Sequence, residues 1–124
     1  MSQKNKIYTI STLGLSGTVV EVETNLSRHL PAVVLVGLPD AAVSEARERV
    51  WAAIENSAWE FPRMKVVVNL APAQIRKEGS AFDLAIALSI LQASEQLAWQ
   101  TEAKQAFIGE LALSGELKSV KGVL

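Results

Sequence analysis

Hydrophobic and polar positions alternate along the first part of the chain. Lys6 to Thr12 and Leu15 to Leu26 read as two strands, with the period clearest in Thr18-Val19-Val20-Glu21-Val22-Glu23. Turn residues, Leu13-Gly14-Leu15-Ser16-Gly17, separate them, so a hairpin with Glu21 and Glu23 on its solvated face is predicted. "PAVVLVG", Pro31 to Gly37, is a continuous apolar run of the kind expected in a strand buried on both faces. Beyond it the period changes to that of a helix. Val43, Ala46, Val50, Ala53 and Ile54 share one face, Asp40 is placed to cap the start, and Glu45 and Arg49 form an i,i+4 pair. This helix should fade near Asn56-Ser57.

"MKVVVNL", Met64 to Leu70, predicts a further buried strand, and Ala71 to Gly79 a loop broken by Pro72 and Gly79. A second helix is expected from about Ser80 to Gln96. It is apolar nearly all round, so it should be central and covered on every side. Ala106 to Leu113 and Gly115 to Val120 predict two more strands around a turn at Ser114-Gly115. The opening hairpin argues against a purely parallel sheet. The expected fold class is α+β, a mixed sheet with helices packed mainly on one face.

Composition narrows the classes of function. With 124 residues and 49% hydrophobic residues the chain is a core-former of one small domain. A formal net charge of -1 provides no global basic field, so any nucleic-acid contact must come from a local patch. The chain has no cysteine, which excludes disulfides and thiolate metal sites. No apolar run suits a signal peptide or a bilayer span, and the expected location is the cytoplasm.

Candidate chemistry centres on Ser80. "SAFD" has capping-box spacing: the Ser80 oxygen would accept from the backbone three residues on, and Asp83 would reach back to the Ser80 amide. The alternative is a nucleophile, which needs a base. The single histidine, His29, follows the presumed second strand, and no Gly-x-Ser-x-Gly elbow surrounds Ser80. The cap is the favoured reading. No phosphate loop occurs, so no nucleotide cofactor is expected in this chain, and a lone histidine makes a zinc site improbable. Arg63, Lys65, Arg76 and Lys77 form a local basic group, a solvated rim or a weak DNA phosphate contact. Trp51, Trp59 and Trp99 are expected to be packing residues rather than base-stacking platforms, and none is interleaved with that group.

Three long stretches carry a family resemblance: "VGLPDAAVSEARERVWAAIENS", "FPRMKVVVNLAPAQIRKEGSAFDLAIALSIL" and "FIGELALSGELKSVKGVL". From about Tyr8 to Leu124 the chain resembles the N-terminal region of the ComM/YifB family of Mg-chelatase-like AAA+ ATPases. The resemblance implies a fold like the Lon-protease C-terminal domain, shared with the second domain of a small-subunit ribosomal protein and with the RadA repair proteins. It implies an ATPase module downstream, with ATP and Mg as that module's cofactors. It also implies a hexameric ring that promotes DNA branch migration in natural transformation, with neighbouring subunits as partners and no membrane. The abrupt "KGVL" ending then suggests a domain cut short, with apolar surface exposed near its C-terminus.

Lon-type proteases use a Ser-Lys dyad, with the serine in a K-D-G-P-S-A-G motif. The matching run here is Lys77-Glu78-Gly79-Ser80-Ala81-Phe82-Asp83. The nucleophile position falls on Ala81, and Ser80 stands where the proteases have proline. Counting from Gly109-Glu110-Leu111, the dyad lysine position falls on Leu124, with Lys121 three residues early. The resemblance therefore implies a non-catalytic appendage. Its rivals are a cryptic serine peptidase using Ser80 with Lys121, and a Mg-chelatase role that rests on the family's label alone.

Overall fold

The computed structural model describes residues 6–11, 17–72, 80–97 and 105–118. Strands β1 (Lys6–Ser11) and β2 (Thr18–Ser27) pair antiparallel, with Lys6 opposite Glu23 and Ser11 opposite Thr18. The alternation has its predicted consequence. Ile7, Thr9, Val20, Val22 and Thr24 point to the core, while Glu21 and Glu23 lie on the other face. There Lys6 reaches Glu21 diagonally at 3.4 Å.

Strand β3 (Ala32–Val36) runs parallel to β4 (Lys65–Ala71), and β4 runs antiparallel to β2, giving the order β1-β2-β4-β3. The sheet is mixed, as expected, but β3 is not buried on both faces. It is an edge strand in which Leu35 faces the core while Val34 and Val36 are exposed. The helices cover one face only, so alternate residues of the apolar run face outward. Gly37 then turns the chain at φ +103°, where a side chain would run into the Leu70 carbonyl.

Helix α1 (Asp40–Glu55) buries Ala46, Val50, Ala53 and Ile54, the predicted stripe. Its first residue is Asp40, and Pro39 takes the cap position without a side-chain hydrogen bond. Asp40 therefore acts as a first-turn acid facing the helix dipole rather than as the cap. Helix α2 (Asp83–Ala93) lies under β1, β2 and β4 and beside α1, buried on nearly all sides as predicted. A buried hydroxyl pair, Thr24 with Ser89 at 2.7 Å, joins it to the sheet. The two later strands are shorter than expected: β5 (Glu110–Leu111) and β6 (Leu117–Lys118), antiparallel across a turn at Ser114-Gly115.

Candidate functional site

The segment before α2 is held by its own backbone and by β5. The Asp83 amide donates to the Ser80 carbonyl at 3.1 Å, Gly109 donates to Ala81 at 2.9 Å, and Leu84 donates to Gly109 at 3.0 Å. This docking brings Glu110 beside Ser80. The Ser80 hydroxyl donates to Glu110 Oε1 at 2.5 Å, and Lys118 Nζ stands 3.6 Å from the other carboxylate oxygen.

The capping box is therefore not formed. Phe82 occupies the cap position, and no side-chain cap bond is made. Asp83 turns inward. Its carboxylate, 1% exposed, takes a two-pronged hydrogen bond from Arg49, Nε to Oδ2 at 2.7 Å and Nη2 to Oδ1 at 3.1 Å, and accepts the Leu111 amide at 3.2 Å. The physical reason is the burial: a carboxylate there needs a cation and an amide more than the helix needs a capping oxygen. Arg49 also lies 3.7 Å from Glu45, the predicted i,i+4 partner, but the closer contact is Asp83.

The electrostatics follow from these contacts. Burial pushes the Asp83 pKa up, against the Arg49 hydrogen bonds and the Leu111 amide. The Asp83 hydrogen bond holds the Arg49 guanidinium firmly protonated. The Ser80 hydroxyl, with help from Lys118, holds Glu110 below the usual carboxylate range. A general base for a serine works best with a pKa near the working pH. Glu110 is tuned the other way, toward accepting the Ser80 hydrogen bond as a carboxylate.

The other sequence candidates fall elsewhere. His29 is exposed and contacts Ser27, with Nδ1 3.1 Å from the Ser27 hydroxyl, rather than Ser80. Lys121 and Leu124 lie outside the described residues, as do Arg76, Lys77 and Trp99. Arg63 is exposed just before β4, and Lys65 is its first residue.

Register places Lys65 opposite Ser27 and beside Ala32, so Arg28 joins the same end of the sheet. Arg47 reaches over from α1 to donate to the Val33 carbonyl at 3.3 Å. Trp51 and Trp59, expected as packing residues, are only partly covered; Trp51 stands against β3. It is 50% exposed and lines a cleft between α1 and β3, together with Arg63 on one side and Arg47 on the other. Sequence reading missed that Arg47 and Trp51 meet Arg63 at this cleft because they are remote from Arg63 along the chain. The signal available was Trp51 at i+4 from Arg47 on the polar side of the helix.

Among the described residues, no group of three or more His, Asp or Glu side chains is placed to hold a metal ion, and no helix is long and apolar enough to cross a membrane. The family described as subunit ChlI of Mg-chelatase matches residues 22–124. A protein of Escherichia coli K12 named uncharacterized protein YifB is 44% identical over 118 residues, covering 95% of this chain and 23% of the relative. Competence protein ComM of Haemophilus influenzae is 42% identical over the same shares. An uncharacterized protein of Mycobacterium tuberculosis H37Rv is 39% identical over 96% of this chain and 24% of its own length. The chain thus spans about a quarter of these relatives.

Proposed function

Since the chain belongs to the Mg-chelatase-like family that includes YifB and ComM, we propose that it is a non-catalytic binding module of an ATP-driven motor acting on DNA. In this reading the fold is Lon-like with its chemistry lost. ATP and Mg are bound by the part of the parent protein that corresponds to the rest of the relatives' length. The parent assembles as a ring, hexameric in the ComM pattern, works in the cytoplasm and promotes branch migration of recombining DNA.

The observation that carries the reading is the contact at Ser80. Its hydroxyl is spent on a carboxylate that is held anionic by Ser80 itself and by Lys118. A serine nucleophile needs a neighbouring base able to take its proton. A module of this kind contributes contacts instead of chemistry.

Two arms test the proposal. A fluorophosphonate probe should leave Ser80 unlabelled in the purified chain; stoichiometric labelling, abolished in Ser80→Ala, would establish a peptidase instead. In the full-length parent, removing this domain should leave ATP hydrolysis in place while reducing ATP-driven branch migration of a synthetic four-way junction. Unchanged branch migration would refute the assignment to the DNA motor.

A further inference from the structure

Strand β3 closes one side of the sheet and pairs with β4 alone. Its alternate N–H and C=O groups that turn away from β4 meet no backbone partner among the described residues. Arg47 donates to the Val33 carbonyl at 3.3 Å, and a carbonyl can accept a second hydrogen bond. Edge strands are commonly guarded by lysine, by proline or by a bulge. This one reads AVVLV, with no charge and no proline. Val34 and Val36, 38% and 45% exposed, lie on the face that the helices leave open. An edge of this composition is a template for another extended strand.

We propose that β3 pairs antiparallel with β3 of a second copy of this chain, about a two-fold axis at Val34. The strand is complementary to itself in that register. Val34 meets its own counterpart and Ala32 meets the counterpart of Val36, so each exposed apolar side chain of the strand gains an apolar cross-strand neighbour. Residues directly opposite one another share a face, so both cores stay on one side and the two sheets join into one. Charge sets the direction. Arg28, Arg63 and Lys65 gather where β3 begins, with Glu55 as the acid that lines the cleft beside them, and Asp40 follows where β3 stops. Antiparallel pairing turns the basic end of each copy toward the acidic end of the other, whereas parallel pairing would set the cations against their own counterparts. The inference goes beyond the binding-module reading and does not rest on it.

Sedimentation of the 124-residue chain across a concentration series reads the association. The series runs to about 1 mM, because pairing of five-residue strands makes a small interface and a weak dimer. The average mass should climb from 13.4 kDa toward twice that value. Val34→Lys should raise the dimer Kd about tenfold or more, since two ammonium groups then face each other across the axis. Val34→Glu should do the same. Mixing the two variants should restore association, because lysine then faces glutamate, and mere damage to the fold would give no such rescue. Val19→Lys lies on the same open face but on β2, and should leave Kd unchanged. Amide hydrogen exchange on β3 should slow as concentration rises, while exchange on β1 should not.

A chain that stays at 13.4 kDa throughout the series would overturn the proposal and leave the edge to a strand from another protein. An equal loss from Val19→Lys would move the contact to the open face of the sheet, and failure of the lysine and glutamate variants to associate with each other would exclude the two-fold register. If neither Val34 variant folds, hydrogen exchange on the unaltered chain still decides, since association without protection of β3 rules out edge pairing. Labelling of Ser80 by a fluorophosphonate would sink the non-catalytic reading and leave this contact standing.

Discussion

Replacing Arg49 with methionine tests the electrostatic reading of the molecule's most buried ion pair. The side chain keeps much of its length but loses the guanidinium fork. Asp83, 1% exposed, is then left, among the described residues, with the Leu111 amide at 3.2 Å. Removing one partner of a buried pair costs about 3–5 kcal/mol, because the surviving charge is uncompensated. Glu45 is on the solvent side of Arg49 and offers Asp83 nothing in return.

The pH dependence separates this from a packing defect. Burial already raises Asp83, and losing Arg49 removes the largest influence pulling it down, so its folded pKa should rise further. A carboxyl whose folded pKa exceeds its unfolded value, about 3.9, holds its proton more tightly when folded. Its effect is therefore to make stability fall as pH rises from the unfolded value through the folded one. The Arg49→Met deficit should be largest near pH ~7 and should shrink toward pH ~5, by about 1.4 kcal/mol for each unit of added shift. Glu110, the other carboxylate near the pair, is lowered, so its contribution is lost only as pH falls below the ordinary carboxylate range and does not mimic the effect. Urea unfolding followed by tryptophan fluorescence, at constant m-value, measures it. A deficit below about 1 kcal/mol, or one that does not change with pH, would refute an ionised, energetically coupled pair. Asp83→Asn keeps an acceptor for Leu111 and should cost less than Arg49→Met at neutral pH.

Three further outcomes are expected. Ser80→Ala should move the Glu110 titration upward in carbon-13 NMR, because the Ser80 hydroxyl is the main influence depressing it, and an unmoved titration would show that the contact is absent in solution. Gly37→Ala should lower Tm by more than the loss of about 1 kcal/mol typical of an ordinary surface change, since φ is +103° and the Leu70 carbonyl occupies the side-chain position. Leu113 and Leu117 are 57% and 61% exposed, so the chain should bind a hydrophobic dye, and Leu117→Lys should reduce that signal. Equal dye binding in the variant and the wild type would place the apolar patch elsewhere.

Local periodicity made most of the elements legible. The alternation in β1 and β2 and the stripe of α1 were visible because each pattern is set by residues a few positions apart. The placement of β3 was not visible. A continuous apolar run has the same form in a doubly buried strand as in an edge strand on a one-sided sheet, and only pairing with β4 alone separates them. The candidate site was misread for a related reason. "SAFD" fits a capping box locally, but Asp83 answers to Arg49, 34 residues away, and Ser80 to Glu110, 30 residues away. Of the basic group, Arg63 and Lys65 were legible as neighbours in sequence. Arg47 and Trp51 meet Arg63 only through the position of α1 against β3.

Helix α1 links the two features that matter most. Arg47 and Trp51, four residues apart, share the face that looks onto the cleft, while Arg49 lies about 200° around the helix from Trp51 and faces α2. The Arg49–Asp83 pair thus fixes the rotation of α1 from the side away from the cleft, and the Leu111 amide on Asp83 ties the same point to β5. A buried ion pair adds little net stability compared with apolar packing, but it does specify one arrangement. Here the arrangement it specifies is the one that presents an indole between two arginines. A sequence change at Asp83 would therefore reach the cleft without touching it. Asp83→Asn, folded and only modestly less stable, should change the fluorescence emission maximum of Trp51, read with Trp51 as the sole tryptophan in Trp59→Phe with Trp99→Phe, because the orientation of α1 is loosened. An unchanged Trp51 emission in that variant would mean that packing of Val50, Ala53 and Ile54 alone sets the helix rotation.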